Sequence, residues 1–137
     1  MTNLTPPVVT AVTAGVLIIL QMLLLFAVVG VRRRVGQSLG DGGSDEVLRA
    51  SRRHGNFAEN AAIFIVALAL VEMLGAGRQL VELLAGLFVL ARISHAIGLS
   101  MHKTVNPLRV IGVIVTVGVG VTLGVRLIML GWSALGV

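Results

Sequence analysis

The chain contains no cysteine and no tyrosine. It can therefore form no disulfide and offers neither a protein thiol nor a thiolate ligand for a metal; any thiol chemistry must come from a bound small molecule. Charge is scarce as well: only 12% of the 137 residues are charged, against 56% hydrophobic. A soluble domain of this length needs far more charge to cover its surface. The mean hydropathy of +0.99 points the same way, to an integral membrane protein. Acids are the scarcest charges, which leaves a formal net charge of +5 and a pI near 11.6. That balance invites a nucleic-acid reading, which the placement of the charges argues against. Arg32, Arg33, Arg34, Arg49, Arg52 and Arg53 lie in one inter-helix segment and its edges. Basic residues beside membrane spans mark the cytoplasmic side. No nucleic-acid partner and no metal site are expected.

Apolar runs of about 20 residues can cross a bilayer as helices. Four such runs are present, at roughly Val8–Val31, Phe57–Leu74, Leu80–Ser100 and Val110–Gly131. They lack the alternating pattern of a transmembrane barrel. The first run has no basic segment before it and its charges follow it, so it is read as a span and not as a cleaved signal peptide. No repeat or second domain is evident, and residues 1–137 are expected to form one all-α membrane domain, a four-helix bundle. The segment Arg32–Ser51 is basic and glycine-rich, the turn around Gly75–Gln79 carries one arginine, and Met101–Arg109 holds His102, Lys103, Pro107 and Arg109. This asymmetry puts the first and third loops in the cytoplasm and both termini outside. Ser44 or Asp41 is expected to cap the second helix, with Asp45 and Glu46 in its first turn, well before the membrane begins.

The most informative stretch is Arg52-Arg53-His54-Gly55-Asn56-Phe57-Ala58-Glu59-Asn60, which runs straight into Ala61-Ala62-Ile63-Phe64-Ile65-Val66. Ionisable groups in lipid cost a few kcal/mol unless a partner or a wet cavity receives them. Arg92-Ile93-Ser94-His95 is a second intrusion of the same kind. Arg49, Arg52, Asn56, Glu59 and Ile63 follow helical steps of three and four, and so do Arg92, His95 and Leu99. At 1.5 Å rise per residue, Glu59 lies about 5 Å, His95 about 8 Å and Arg92 about 12 Å from the cytoplasmic end. The two faces can thus converge in one cavity open to the cytoplasm. A plainer reading is also open, in which Glu59 and Arg92 form an inter-helix ion pair that only holds the bundle together. Arg53 reads as an interfacial anchor, and His54 admits that reading too. The surplus of cations over the single carboxylate favours a site for an anionic partner, because a guanidinium stays charged and pairs well with carboxylates.

Other polar groups read as structural. Glu72, about 22 Å up the second helix, and Arg126, about 24 Å up the fourth, reach similar depth and are expected to pair. Arg78 and Glu82, four apart, form a surface pair of little weight. Gln21, in the middle of the first span, is expected to hydrogen-bond across the bundle. Gly120-Val121-Thr122-Leu123-Gly124 has the GxxxG spacing that permits close helix approach.

These residues resemble the family of membrane-associated proteins in eicosanoid and glutathione metabolism, MAPEG. The family pattern has four short helices, a basic first loop, R-x-H-x-N-x-x-E opening the second helix and R-x-x-H in the third. Here the motifs are Arg52 to Glu59 and Arg92-Ile93-Ser94-His95, and the resemblance covers nearly the whole chain, in the manner of a bacterial-type member. It implies a homotrimer in the membrane lipid, with glutathione, or another small anionic thiol, bound between neighbouring subunits on the cytoplasmic side. Arg52, Asn56, Glu59, Arg92 and His95 match positions that contact glutathione in family members. Arg109 and Arg34 resemble the arginines placed near the thiol, where a positive charge raises the thiolate fraction. Family enzymes often carry tyrosine one helical turn after the R-x-x-H histidine; Leu99 stands there in this chain.

The expected function is a membrane-embedded glutathione transferase or peroxidase acting on lipophilic electrophiles or hydroperoxides, in a bacterial inner membrane. Three alternatives stay open. A non-catalytic member could keep the fold and the ligand pocket. A small four-helix transporter would want a mid-membrane carboxylate, where the first helix offers only Gln21. A haem or quinone protein would use His54, His95 or His102.

Overall fold

The computed structural model describes residues 6–101 and 106–136. Four helices follow one another along the chain: α1 (Val8–Val35), α2 (Asp45–Met73), α3 (Arg78–Ser100) and α4 (Pro107–Ala134). Each is long and apolar enough to cross a membrane. All four apolar runs are helical, and the helices extend beyond the runs at their charged ends. Arg32, Arg33 and Arg34 form the last turn of α1, closed by Gly36 in the left-handed conformation. The first loop is accordingly short. Ser44 caps α2 by accepting from the Val47 amide, and Asp45 and Glu46 occupy the first turn, where the helix dipole favours acids.

In the bundle α1 packs on α2 and α3 on α4, while α2 touches each of the other three; α1 and α4 do not meet among the described residues. The centre is apolar. Phe64 of α2 stacks on Phe88 of α3 with ring centroids 3.6 Å apart. Leu17, Leu68, Val71, Val81, Leu84, Val119 and Leu123 close around them. The outward faces are aliphatic too, with Ile18, Ile19, Phe26, Ile114, Val121 and Ile128 exposed. In a soluble protein such faces would drive association; on membrane-spanning helices they are the surface that lipid covers.

Close approach of α3 and α4 does not use the GxxxG spacing. A Cβ at Gly120 or Gly124 would meet nothing within 4 Å. The contacts are made by Gly98 against the Arg109 backbone and by Gly112 against Ala91 and His95. The expected Glu72–Arg126 pair is also replaced. Both carboxylate oxygens of Glu72 cap the start of α1, accepting from the amides of Val9 and Thr10, each at 2.8 Å, and from Thr10 Oγ1 at 2.7 Å. Those amides have no partner within α1 and carry the positive end of its dipole, so they outcompete a distant guanidinium. The Arg78–Glu82 pair forms as expected, at 2.7 Å on the surface. Gln21 does hydrogen-bond across the bundle, its Nε2 lying 2.6 Å from His54 Nε2. His54 thus faces α1 instead of the motif residues around it.

Candidate functional site

The end of the bundle where α1 and α3 finish and α2 and α4 begin holds a cavity of about 680 Å³. Helix α2 supplies Arg49, Arg52, Asn56 and Glu59 to its wall, α3 supplies His95, Gly98 and Leu99, and α4 supplies Arg109. Local sequence explains each placement. Steps of three and four bring the α2 residues onto one face. The Asn106 side chain accepts from the Leu108 amide at 2.9 Å and Pro107 stands at the start of α4, which suits a first turn. Arg109 therefore sits in that first turn. Gly98 then lets it press against the end of α3, since a Cβ at Gly98 would lie 2.6 Å from the Arg109 nitrogen.

Arg92 lies one layer behind the wall. It is 2% exposed, and its guanidinium is held by neutral groups only. One Nη donates to Asn56 Oδ1 at 2.7 Å and to His95 Nδ1 at 3.0 Å, and the other donates to Thr116 Oγ1 at 3.3 Å. Its Nε is enclosed and has no partner. The ion pairs among the described residues are Arg34–Glu46 and Arg78–Glu82, so the ion pair between Glu59 and Arg92 does not form. Nor do Arg52, Glu59 or Arg109 make a side-chain hydrogen bond among the described residues. The cavity wall thus carries three arginines against the carboxylates of Asp45 and Glu59, with the Arg92 charge behind it.

Five of the expected site residues, Arg52, Asn56, Glu59, His95 and Arg109, are gathered on this one wall, and Arg92 touches two of them. Arg34 is not brought there by its own chain; it is exposed and paired with Glu46. Leu99 lines the cavity at the position noted above. His102 and Lys103 lie outside the described residues. Thr116 was not singled out by sequence reasoning. Its signal was a hydroxyl in an apolar run, one turn after Gly112, whose carbonyl it also bonds at 2.7 Å.

Comparison with known families now bears on this wall. The MAPEG family model matches residues 10–129. The chain belongs to the MAPEG family. The match takes in all of the wall and most of each helix. No curated protein and no solved structure matches the chain. Membership in the MAPEG family agrees with four membrane-spanning helices in one bundle and with a role, in general terms, in membrane glutathione-related chemistry.

Proposed function

We propose that this protein is a glutathione-dependent transferase or peroxidase that acts on lipophilic electrophiles or hydroperoxides within the membrane. The observation that carries the proposal is the Arg92 guanidinium, buried in a membrane span with no carboxylate beside it. A buried charge without a counter-ion is strongly unfavourable. An acidic small molecule in the adjoining cavity would supply the missing charge, and MAPEG membership supports glutathione in that place. The cavity volume of about 680 Å³ falls in the range of roughly 300–1,000 Å³ usual for small-molecule sites.

The residues divide the work by their chemistry. Arg52, exposed and unpaired on the wall, would pair with a ligand carboxylate in a bidentate fork. Glu59 would accept from the ligand amino group. Asn56 and His95 would hold a further acceptor, with the Arg92 charge behind them. Glutathione, when bound, supplies the thiol. Arg109, at the first turn of α4, would hold positive charge near the sulfur and favour its anionic form. Fixing the ligand in this way would turn a bimolecular encounter with a membrane-dissolved substrate into an oriented one.

A homotrimer belongs to the proposal. The broad apolar faces of α1 and α4 support contact with neighbours as well as with lipid, and Arg34 could serve a cavity only from a neighbouring subunit. The clustering of arginines at the cavity end supports a cytoplasmic opening with both termini outside, in a bacterial inner membrane. Leu99 on the cavity wall favours a second reading, a MAPEG-fold protein that binds the ligand without turnover.

A thermal melt in detergent, with glutathione, its S-alkyl analogues and other acidic thiols, tests the proposal. A ligand that binds only the folded state must raise the melting temperature by mass action. A rise with glutathione together with conjugation or peroxidase activity supports the enzyme; a rise without turnover supports the second reading. No rise with any acidic thiol overturns both.

A further inference from the structure

Arg92 does more than contribute charge, because a guanidinium is an obligate donor. The atom of Asn56 that faces it at 2.7 Å must be the amide oxygen, and the atom of His95 that faces it at 3.0 Å must be an unprotonated ring nitrogen. A proton on His95 Nδ1 would set donor against donor. The neutral ring then carries its proton on Nε2, and the Asn56 amide turns its NH2 away from Arg92. Both residues line the cavity. Neither Asn56 Nδ2 nor His95 Nε2 is among the side-chain atoms that are sealed from solvent without a partner.

We propose that Arg92 is a positioning residue that fixes the hydrogen-bond polarity of the cavity wall, so that Asn56 and His95 present two N–H donors and this subsite takes an acceptor group, a carboxylate or carbonyl oxygen, and refuses an ammonium, which can only donate. The inference deepens the proposed function by naming the chemistry of one subsite, and rests on that reading for the identity of the ligand. Thr116 completes the arrangement. Its hydroxyl gives its proton to the Gly112 carbonyl at 2.7 Å and presents a lone pair to Arg92. The guanidinium is thereby held from three sides by groups that can only accept from it, and it cannot rotate to release Asn56 or His95 without losing a partner in a buried place. The two donors it orients lie on different helices, so the polarity of the wall is set by one residue across the α2–α3 seam.

Nitrogen NMR of the full-length protein in detergent, with ¹⁵N-labelled histidine, reads this directly and needs no ligand or activity. The His95 signals are assigned by their loss in His95→Gln, which separates them from His54 and His102. Wild type is expected to show His95 as a single species protonated on Nε2. Arg92→Met is expected to give a mixture of tautomers and to weaken glutathione binding by about tenfold, the usual loss when a buried polar contact is undone. Arg92→Lys, which keeps a donor, is expected to retain the Nε2–H form. A wild-type ring protonated on Nδ1, or a tautomer mixture in wild type, overturns the proposal even if no variant folds. So does an Arg92→Met protein whose ring keeps the wild-type tautomer. Loss of glutathione binding in every form, with the Nε2–H tautomer intact in wild type, would instead overturn the choice of ligand and leave the polarity of the wall standing.

Discussion

Gly112 of α4 rests directly on the backbone of α3 at Ala91. A Cβ at Gly112 would stand 2.7 Å from the Ala91 carbonyl oxygen and 2.8 Å from the His95 Cβ. Backbone cannot step aside as a flexible side chain can, so Gly112→Ala must push the helices apart. Overpacking of this kind costs about 1–3 kcal/mol. Thr116, one turn along, would move with α4 and loosen its contact with Arg92. The expected outcome is a lower melting temperature in detergent together with weaker ligand binding. Gly124→Ala is the control, since a Cβ there meets nothing within 4 Å. Equal losses from both substitutions would remove close approach as the explanation.

Glu72 gives a second test, because its role in the structure differs from the role its depth suggests. It ties the end of α2 to the beginning of α1 through three hydrogen bonds, while α1 has neither a capping side chain nor an acid in its own first turn. Glu72→Ala would leave the Val9 and Thr10 amides without partners in a buried place, which costs about 2–3 kcal/mol when the lost acceptor is charged. Hydrogen exchange at Val9 and Thr10 should quicken along with the drop in melting temperature. Arg126→Ala should produce neither change. If Arg126→Ala destabilises as much as Glu72→Ala, and the double variant adds nothing, the ion pair expected from depth is the correct one after all.

These two residues also show what the sequence could and could not tell. The four spans were legible because lipid demands long apolar runs, and the capping of α2 by Ser44 was legible because its signal is local. The wall of Arg52, Asn56, Glu59 and His95 was legible because helical periodicity puts each set on one face, and polar groups in apolar helices seek one another. Depth alone misled in the case of Glu72. Rise per residue gives height along the bundle but not the direction around it, and backbone amides at a helix start have no letter of their own. Glycine spacing has the same limit. GxxxG shows where a helix could be approached, whereas the contacts at Gly98 and Gly112 depend on which neighbour lies beside them. The end of α1 was read short for a related reason, since its charged last turn is helical outside the apolar run, whereas the start of α2 at Asp45 was legible from its cap.

The Gln21–His54 contact joins α1 to α2, and neither residue lines the cavity. Hydrogen bonds between membrane helices average about 0.6 kcal/mol in double-variant cycles. The other amide atom, Gln21 Oε1, is enclosed and has no partner, which offsets part of the gain. Gln21→Leu is therefore expected to change stability by less than about 1 kcal/mol, with a coupling to His54→Ala of similar size. A loss several times larger in a chemical unfolding titration would mean that the pair organises more of the bundle than these two side chains.

Arg109 offers the sharpest test of chemistry, because the role proposed for its charge lies at the reacting atom and not in the fold. Its side chain is exposed at the cavity rim and makes no hydrogen bond among the described residues, so Arg109→Ala should leave the melting temperature nearly unchanged. A thiol loses its proton more readily beside a guanidinium. Removing that charge raises the pKa of the bound thiol, so less thiolate is present at neutral pH and the rate falls there. The deficit should shrink as pH rises toward the ordinary thiol range, about 8.5. Glutathione conjugation by Arg109→Ala is thus expected to drop by about tenfold or more near pH 7, with recovery at higher pH and little change in glutathione binding. One pKa unit corresponds to a factor of about ten in thiolate at pH values below the pKa. Arg34→Ala, measured beside it, separates the two candidates: a drop with the same pH recovery would give the role to Arg34, reaching the sulfur from a neighbouring subunit. Activity equal to wild type in Arg109→Ala across the whole pH range would remove Arg109 from the mechanism.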